Sequence, residues 1–182
     1  MNPADAPREV GSIPFRGQDE PIVGVEVGVG SPAPDFLAVA KDWSEVYPLA
    51  MTHGGVRILT AVPSLDTSTC DRETKRFNAE AADLDRDITI FVVSMDLPYA
   101  QDRWCGAAGV DRVVTVSDHV YAEFGVKYGC LIRSKRLLRR AVFVVDRNDR
   151  VRYAAYMPSL GVEPDYDAVL GAARFALTSQ GP

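Results

Sequence analysis

The chain has 182 residues, 47% hydrophobic and 25% charged, the composition of one folded globular domain rather than of a disordered or fibrous chain. Its 20 Lys and Arg against 25 Asp and Glu give a net charge of −5, which argues against general binding to nucleic-acid phosphates. No apolar run reaches the roughly 18–20 residues of a membrane helix, and the opening MNPADAPREV lacks the apolar stretch of a secretory leader.

In chain order, residues 1–12 read as a loosely held arm and 13–182 as a single domain. Ile22–Val29 (IVGVEVGV) alternates apolar and other residues, which predicts a strand forming the second arm of a hairpin turning near Gly17–Glu20. Gly30–Pro34 forces a turn, and Phe36–Ala40 is a short extended piece. Val56–Val62 is a compact apolar run typical of a central strand, ended by Pro63. Ser68–Leu84 reads as a helix, with Cys70, Thr74, Phe77, Ala81 and Leu84 on one stripe. A second central strand at Ile88–Val93 follows, then a short helix at Pro98–Cys105, a strand at Val113–Val116 and a helix at Val120–Tyr128. Ala141–Asp146 and Val151–Tyr156 form a hairpin, and Asp165–Thr178 closes the chain as a helix. This order implies an α/β protein whose central mixed sheet is flanked by helices, and a thioredoxin-like fold with an N-terminal β-hairpin fits it.

Cys70, Cys105 and Cys130 are too few and too scattered for a disulfide scaffold, and with His53 and His119 they lack the close pairs of a zinc site. Three thiols without a leader point to a reducing, cytoplasmic compartment, in which a reactive cysteine is catalytic or redox-sensing. Cys70 lies just inside a helix that follows a proline-ended strand. Ser68 and Asp71 have the spacing of a capping box around that helix start. Unpaired backbone N–H groups and the positive end of the helix dipole favour a thiolate at such a position. Cys70 also fits a small buried hydrophobe on the apolar stripe. The first-turn position, amid Ser64, Thr67, Ser68 and Thr69, outweighs that reading.

The segment Pro63-Ser64-Leu65-Asp66-Thr67-Ser68-Thr69-Cys70 resembles the peroxidatic loop of the peroxiredoxins, P-x-x-x-T-x-x-C, through Pro63, Thr67 and Cys70. With Ser64 and Asp66 it is similar to the loop of the bacterial thiol peroxidases. Ser94-Met95-Asp96-Leu97-Pro98-Tyr99-Ala100-Gln101-Asp102-Arg103-Trp104-Cys105-Gly106 resembles the segment in which the same subfamily carries its resolving cysteine. On its own terms, this segment has Asp96 as a helix N-cap, Pro98 in the first turn and Gly106 just past the end. Cys105 then falls at the last turn of a helix only about two turns long, which frays readily. Arg140 before Ala141–Asp146 matches the arginine that faces the peroxidatic thiol in the family, with Arg139 as the one-residue alternative.

The resemblance implies a thiol-dependent peroxidase acting on hydrogen peroxide and alkyl hydroperoxides. Cys70 is implied as the nucleophile. Pro63, Thr67 and Arg140 are implied to bind the substrate, and Thr67 and Arg140 to assist its cleavage. An intramolecular disulfide to Cys105 would be reduced by a thioredoxin-type protein. It implies a homodimer and no metal, flavin or haem, since sulfur carries the redox change. Neither nucleic acid nor a membrane is an expected partner. A redox sensor using the same cysteine pair is the alternative, whereas a thioredoxin-like reductase would carry C-x-x-C.

Eight of the 20 basic residues fall between Arg133 and Arg152, a stretch read as solvated loop. The segment Gly129–Leu138 is shorter and more basic than the family's loop, a departure that bears on substrate preference and on the surface that docks the reductant. Cys130 matches no family cysteine and reads as a structural thiol. Trp104 and Tyr99 read as core or interface aromatics.

Overall fold

A computed structural model describes residues 7–179. The chain opens with the hairpin β1 (Glu9–Phe15) and β2 (Gln18–Val23), paired antiparallel from Phe15↔Gln18 outward. The strand predicted at Ile22–Val29 therefore ends at Val23, and the turn falls at Arg16–Gly17. Gly24, at φ +138°, explains the early end. A Cβ there would stand 2.3 Å from the carbonyl oxygen of Val126, so the chain turns away against a neighbouring backbone that only glycine can approach. The loose arm expected over 1–12 is also revised. Residues 9–12 belong to β1, with a register shift between Glu9 and Gly11 absorbing the irregular sequence, and residues 1–6 lie outside the described residues.

The remaining elements are β3 (Ala38–Val39), β4 (Glu45–Val46), α1 (Pro48–Met51), β5 (Val56–Ala61), α2 (Ser68–Glu80), β6 (Ile88–Ser94), α3 (Pro98–Ala108), β7 (Val114–Ser117), α4 (Glu123–Lys127), β8 (Leu131–Ile132), β9 (Leu137–Leu138), β10 (Ala141–Val145), β11 (Val151–Tyr156) and α5 (Tyr166–Thr178). A seven-stranded sheet runs β11-β10-β5-β6-β7-β3-β4, with β5, β6 and β7 parallel and the other pairings antiparallel. A four-stranded sheet runs β1-β2-β8-β9. The mixed α/β fold with an N-terminal hairpin agrees with the expectation. The pair β8–β9 was not foreseen, because two-residue strands leave no periodicity to read.

Alternation along the strands divides the apolar side chains between two cores. Ile58, Ile90, Val92, Val142 and Val144 meet α2, α3 and α5 through Phe77, Trp104, Leu170 and Ala173. Leu59, Phe91, Val93, Phe143 and Val145 meet α1 and α4 through Leu49 and Phe124. Cys70 and Cys105 lie in the first core, Cys130 in the second. The sheet thus separates Cys130 from the other two thiols, in keeping with a structural role.

Helix boundaries shift from those predicted. α2 stops at Glu80 rather than Leu84, though Ala81 and Leu84 still pack on the first core. Thr67, not Ser68, is its N-cap residue, in extended conformation and without a side-chain cap bond, so the capping box is not formed. α3 runs three residues past Cys105 and ends at Gly109, whose φ of +65° supplies the left-handed turn assigned to Gly106. Cys105 consequently sits inside a longer helix than expected. α4 is shortened to five residues, and Asp165 caps α5 by accepting a bond from the Ala168 N–H.

Candidate active site

β5 and β6 are parallel and buried, and the segments leaving their C-terminal ends lead to α2 and α3. Ligands bind at this edge of open α/β sheets. The Val62 N–H donates to the Val93 carbonyl, extending the pairing by one residue, and Pro63 is buried where the strand becomes a loop. The loop turns through Ser64–Asp66 and delivers Cys70, fully buried, to the first turn of α2.

Two groups meet the Cys70 sulfur. Thr67 Oγ1 lies 2.8 Å from Sγ and 3.1 Å from the Ser64 carbonyl oxygen. Arg140 Nη2 lies 3.2 Å from Sγ and donates to the Leu160 carbonyl at 3.0 Å. One hydroxyl donor and one guanidinium donor therefore converge on one sulfur, the arrangement that stabilises a thiolate and an adjacent developing negative charge. Arg140 reaches this position because it has the same strand parity as Val142 and Val144, which face the first core. Arg139 faces the other way, pairs with Glu26 and lies 4.0 Å over the ring of Tyr156. Of the two arginines, Arg140 is the one in contact with the Cys70 sulfur.

Sequence reasoning missed Glu73. It lies one helical turn beyond Cys70, is fully buried, and accepts from Arg140 Nη1 and from Thr60 Oγ1, the latter at 2.5 Å. Burial pushes the Glu73 carboxyl upward, opposed by Arg140 and Thr60. For Arg140, burial acts to lower the pKa but Glu73 and the Cys70 sulfur outweigh it, so the guanidinium stays charged. The available signal was a charged residue on the same helix face as Cys70, Thr74 and Phe77, where a solvated side chain cannot sit.

Cys105 is buried on α3, with Sγ 3.7 Å from Thr115 Oγ1 on β7. It shares the apolar core of Cys70, Leu65 and Trp104. All three cysteines are free thiols. Asp96 is not the N-cap of α3, a position taken by Leu97. Its carboxylate instead accepts from Ser64 Oγ at 2.7 Å, the Leu65 N–H at 2.8 Å and Ser94 Oγ at 2.8 Å.

Cys130 is held away from chemistry, its thiol pushed up to about 12, mainly by burial. His119 is half-buried, with Nδ1 2.8 Å from Ser117 Oγ, while His53 is exposed. Of the two aromatics, Trp104 joins the core, whereas Tyr99 is exposed and packs 5.1 Å from Trp43.

The redoxin family pattern matches residues 28–170. The chain is 47% identical over 159 residues to a thiol peroxidase of Oceanobacillus iheyensis, covering 87% of this chain and 96% of that protein. It is 45% identical over 162 residues to a thiol peroxidase of Bacillus subtilis, covering 89% and 96%. Among solved structures, a peroxiredoxin-like protein from Aquifex aeolicus superposes with a TM-score of 0.82 at 35% identity, covering 93% of this chain and 99% of that one. A thiol peroxidase from Chromobacterium violaceum shares the fold, with a TM-score of 0.80 at 17% identity over 93% and 98% of the two chains.

Proposed function

This chain belongs to the redoxin family and is a thiol-dependent peroxidase of the thiol peroxidase type, and on that premise we propose that Cys70 is its peroxidatic cysteine and Cys105 its resolving cysteine. The observation that carries the reading is the convergence of Thr67 Oγ1 and Arg140 Nη2 on Cys70 Sγ at the first turn of α2.

In the first step the Cys70 thiolate attacks one oxygen of the hydroperoxide. The S–O bond forms as the O–O bond breaks, Cys70 becomes a sulfenic acid, and the other oxygen leaves as water or alcohol after taking a proton. Arg140 keeps its charge at every relevant pH and faces the sulfur, so it opposes the negative charge on the departing oxygen. Thr67 orients the sulfur, and Pro63 shapes the loop against which the peroxide lies.

In the second step the Cys105 thiol attacks the sulfenic sulfur, the S–S bond forms, the S–O bond breaks and water leaves. A thioredoxin-type dithiol then reduces the disulfide and is itself oxidised. Because both thiols are buried on different helices and a disulfide needs Cα atoms within roughly 7 Å, the second step proceeds through local opening of the two cysteine-bearing helix ends, the first turn of α2 and the C-terminal part of α3. The reading includes a cytoplasmic homodimer; among the described residues no helix is long and apolar enough to cross a membrane.

The test is intact mass with cysteine mapping under non-reducing conditions, after one equivalent of hydrogen peroxide is added to the reduced protein. Loss of two hydrogens mapped to a Cys70–Cys105 bridge is the expected result. A Cys70→Ser variant that consumes peroxide at the wild-type rate would overturn the assignment of the nucleophile. Oxygen gained on Cys70 while Cys105 stays free would overturn that of the resolving cysteine.

A further inference from the structure

Asp96 links the approaches to the two cysteines. Ser64 and Leu65 belong to the loop that delivers Cys70, and both donate to its carboxylate, Ser64 Oγ to Oδ1 at 2.7 Å and the Leu65 N–H to Oδ2 at 2.8 Å. On its own side Asp96 stands directly before Leu97, the N-cap of the helix that carries Cys105. Three further bonds fix it there. Ser94 Oγ donates to Oδ2 at 2.8 Å, the Asp96 N–H donates to Ser94 Oγ at 3.2 Å, and Ser117 Oγ donates to the Asp96 carbonyl at 2.5 Å. Gln101, within α3, ties that helix to the same cluster by donating to Ser94 Oγ at 3.0 Å and to the Val116 carbonyl at 3.0 Å.

We propose that Asp96 is a positioning residue that latches the loop before Cys70 to the segment before α3, so that the first turn of α2 and the helix that carries Cys105 open together. The inference rests on the reading that Cys105 resolves the Cys70 sulfenic acid. A carboxylate that accepts from both a side chain and a backbone N–H of the facing loop holds it more firmly than a neutral acceptor, because bonds to an ionised group are roughly twice as strong. While the latch is closed, Cys70 keeps Thr67 and Arg140 on its sulfur and is competent for peroxide. Release frees Ser64 and Leu65 from the start of α3, and the Cys105 thiol can then reach the sulfenic sulfur. Asp96 thereby divides the sulfenic acid between bridging to Cys105 and reaction with a second peroxide, which yields the sulfinic acid.

The experiment compares wild type, Asp96→Asn and Ser64→Ala. For each, single-turnover oxidation of Cys70, the rate of disulfide formation, the peroxide concentration giving half-conversion to sulfinic acid by intact mass, and amide exchange over residues 64–72 and 97–108 are measured. Asp96→Asn is expected to slow Cys70 oxidation no more than about threefold, to speed disulfide formation about tenfold, and to raise the sulfinic-acid threshold about tenfold. Amide exchange should rise in both segments in step. Ser64→Ala, which removes only one of the bonds, should shift the same quantities in the same direction by about threefold. An unchanged threshold in both folded variants, exchange rising in one segment only, or an equal fall in both rates would overturn the latch and leave the resolving role intact. Failure of wild type to form the Cys70–Cys105 bridge would overturn the resolving role and the latch with it.

Discussion

Glu73 and Arg140 form an ion pair in which both side chains are almost wholly removed from water, 0% and 1% exposed, while Arg140 also reaches the Cys70 sulfur. Breaking such a pair from one side leaves the other charge without a partner in a low-dielectric interior. Glu73→Ala is therefore expected to cost about 3–5 kcal/mol of stability, read by urea denaturation. Glu73→Gln, which keeps an acceptor for Arg140, costs less. Both should slow single-turnover oxidation of Cys70.

Arg140→Met has the opposite profile. The carboxyl left behind is one that burial already pushes upward, so Glu73 takes a proton instead of standing as a bare charge, and the domain stays folded. The first oxidation, deprived of its charged donor, is expected to slow by about 100-fold or more. A stopped-flow rate within threefold of wild type would remove Arg140 from the reaction.

Thr67 contributes a hydroxyl that a shape-matched substitution deletes. Thr67→Val is expected to slow Cys70 oxidation by about 10- to 100-fold, and Thr67→Ser to retain most of the rate. Equal rates for Val and Ser would mean that the contact 2.8 Å from Sγ contributes packing alone.

Asp118 makes stability depend on pH. Its carboxylate accepts from the Phe124 and Gly125 N–H groups at 3.1 and 2.8 Å, with Arg136 and Glu123 nearby, yet burial raises its pKa to about 7. Between the ordinary carboxylate range and pH 7 the folded state holds a proton that the unfolded state has released. The contribution of this group to stability therefore falls as pH rises through that window and is level above it. Asp118→Asn removes the titration. Its stability relative to wild type should improve by a few kcal/mol between pH 4 and pH 8, measured by denaturation at each pH.

Gly24→Ala is expected to cost more than about 2 kcal/mol, read as a fall in the urea midpoint. The added methyl would meet the Val126 carbonyl oxygen at 2.3 Å and the Gly129 Cα at 2.9 Å, both backbone atoms that cannot rotate away.

The central strands and the two cysteine segments were legible because each is a local pattern. An apolar run ended by proline marks β5, and the helix stripe beginning at Cys70 marks α2. Glu73 was legible only in part, since its place on the face of Cys70, Thr74 and Phe77 marks burial but its partner Arg140 lies 67 residues away, where no local pattern points. Asp96 misled for a related reason. Asp before Leu-Pro reads as a local cap, but the carboxylate is spent across the fold on Ser64 and Leu65, 32 and 31 residues distant. The early end of β2 was hidden in the same way, because Gly24 in an alternating run shows its constraint only beside Val126 and Gly129.

Arg139 and Arg140 are neighbours in the chain and strangers in space, one sent to Glu26 and Tyr156 and the other to Glu73 and Cys70. The tandem holds no spare. Deleting one residue between Leu138 and Ala141 would leave a single arginine to serve two addresses, and inserting one between Arg140 and Ala141 would deliver each to the wrong side of the sheet. The pairing of β10 with β5 at Ala141↔Ala61 and with β11 at Ala141↔Tyr156 tells these two identical side chains apart.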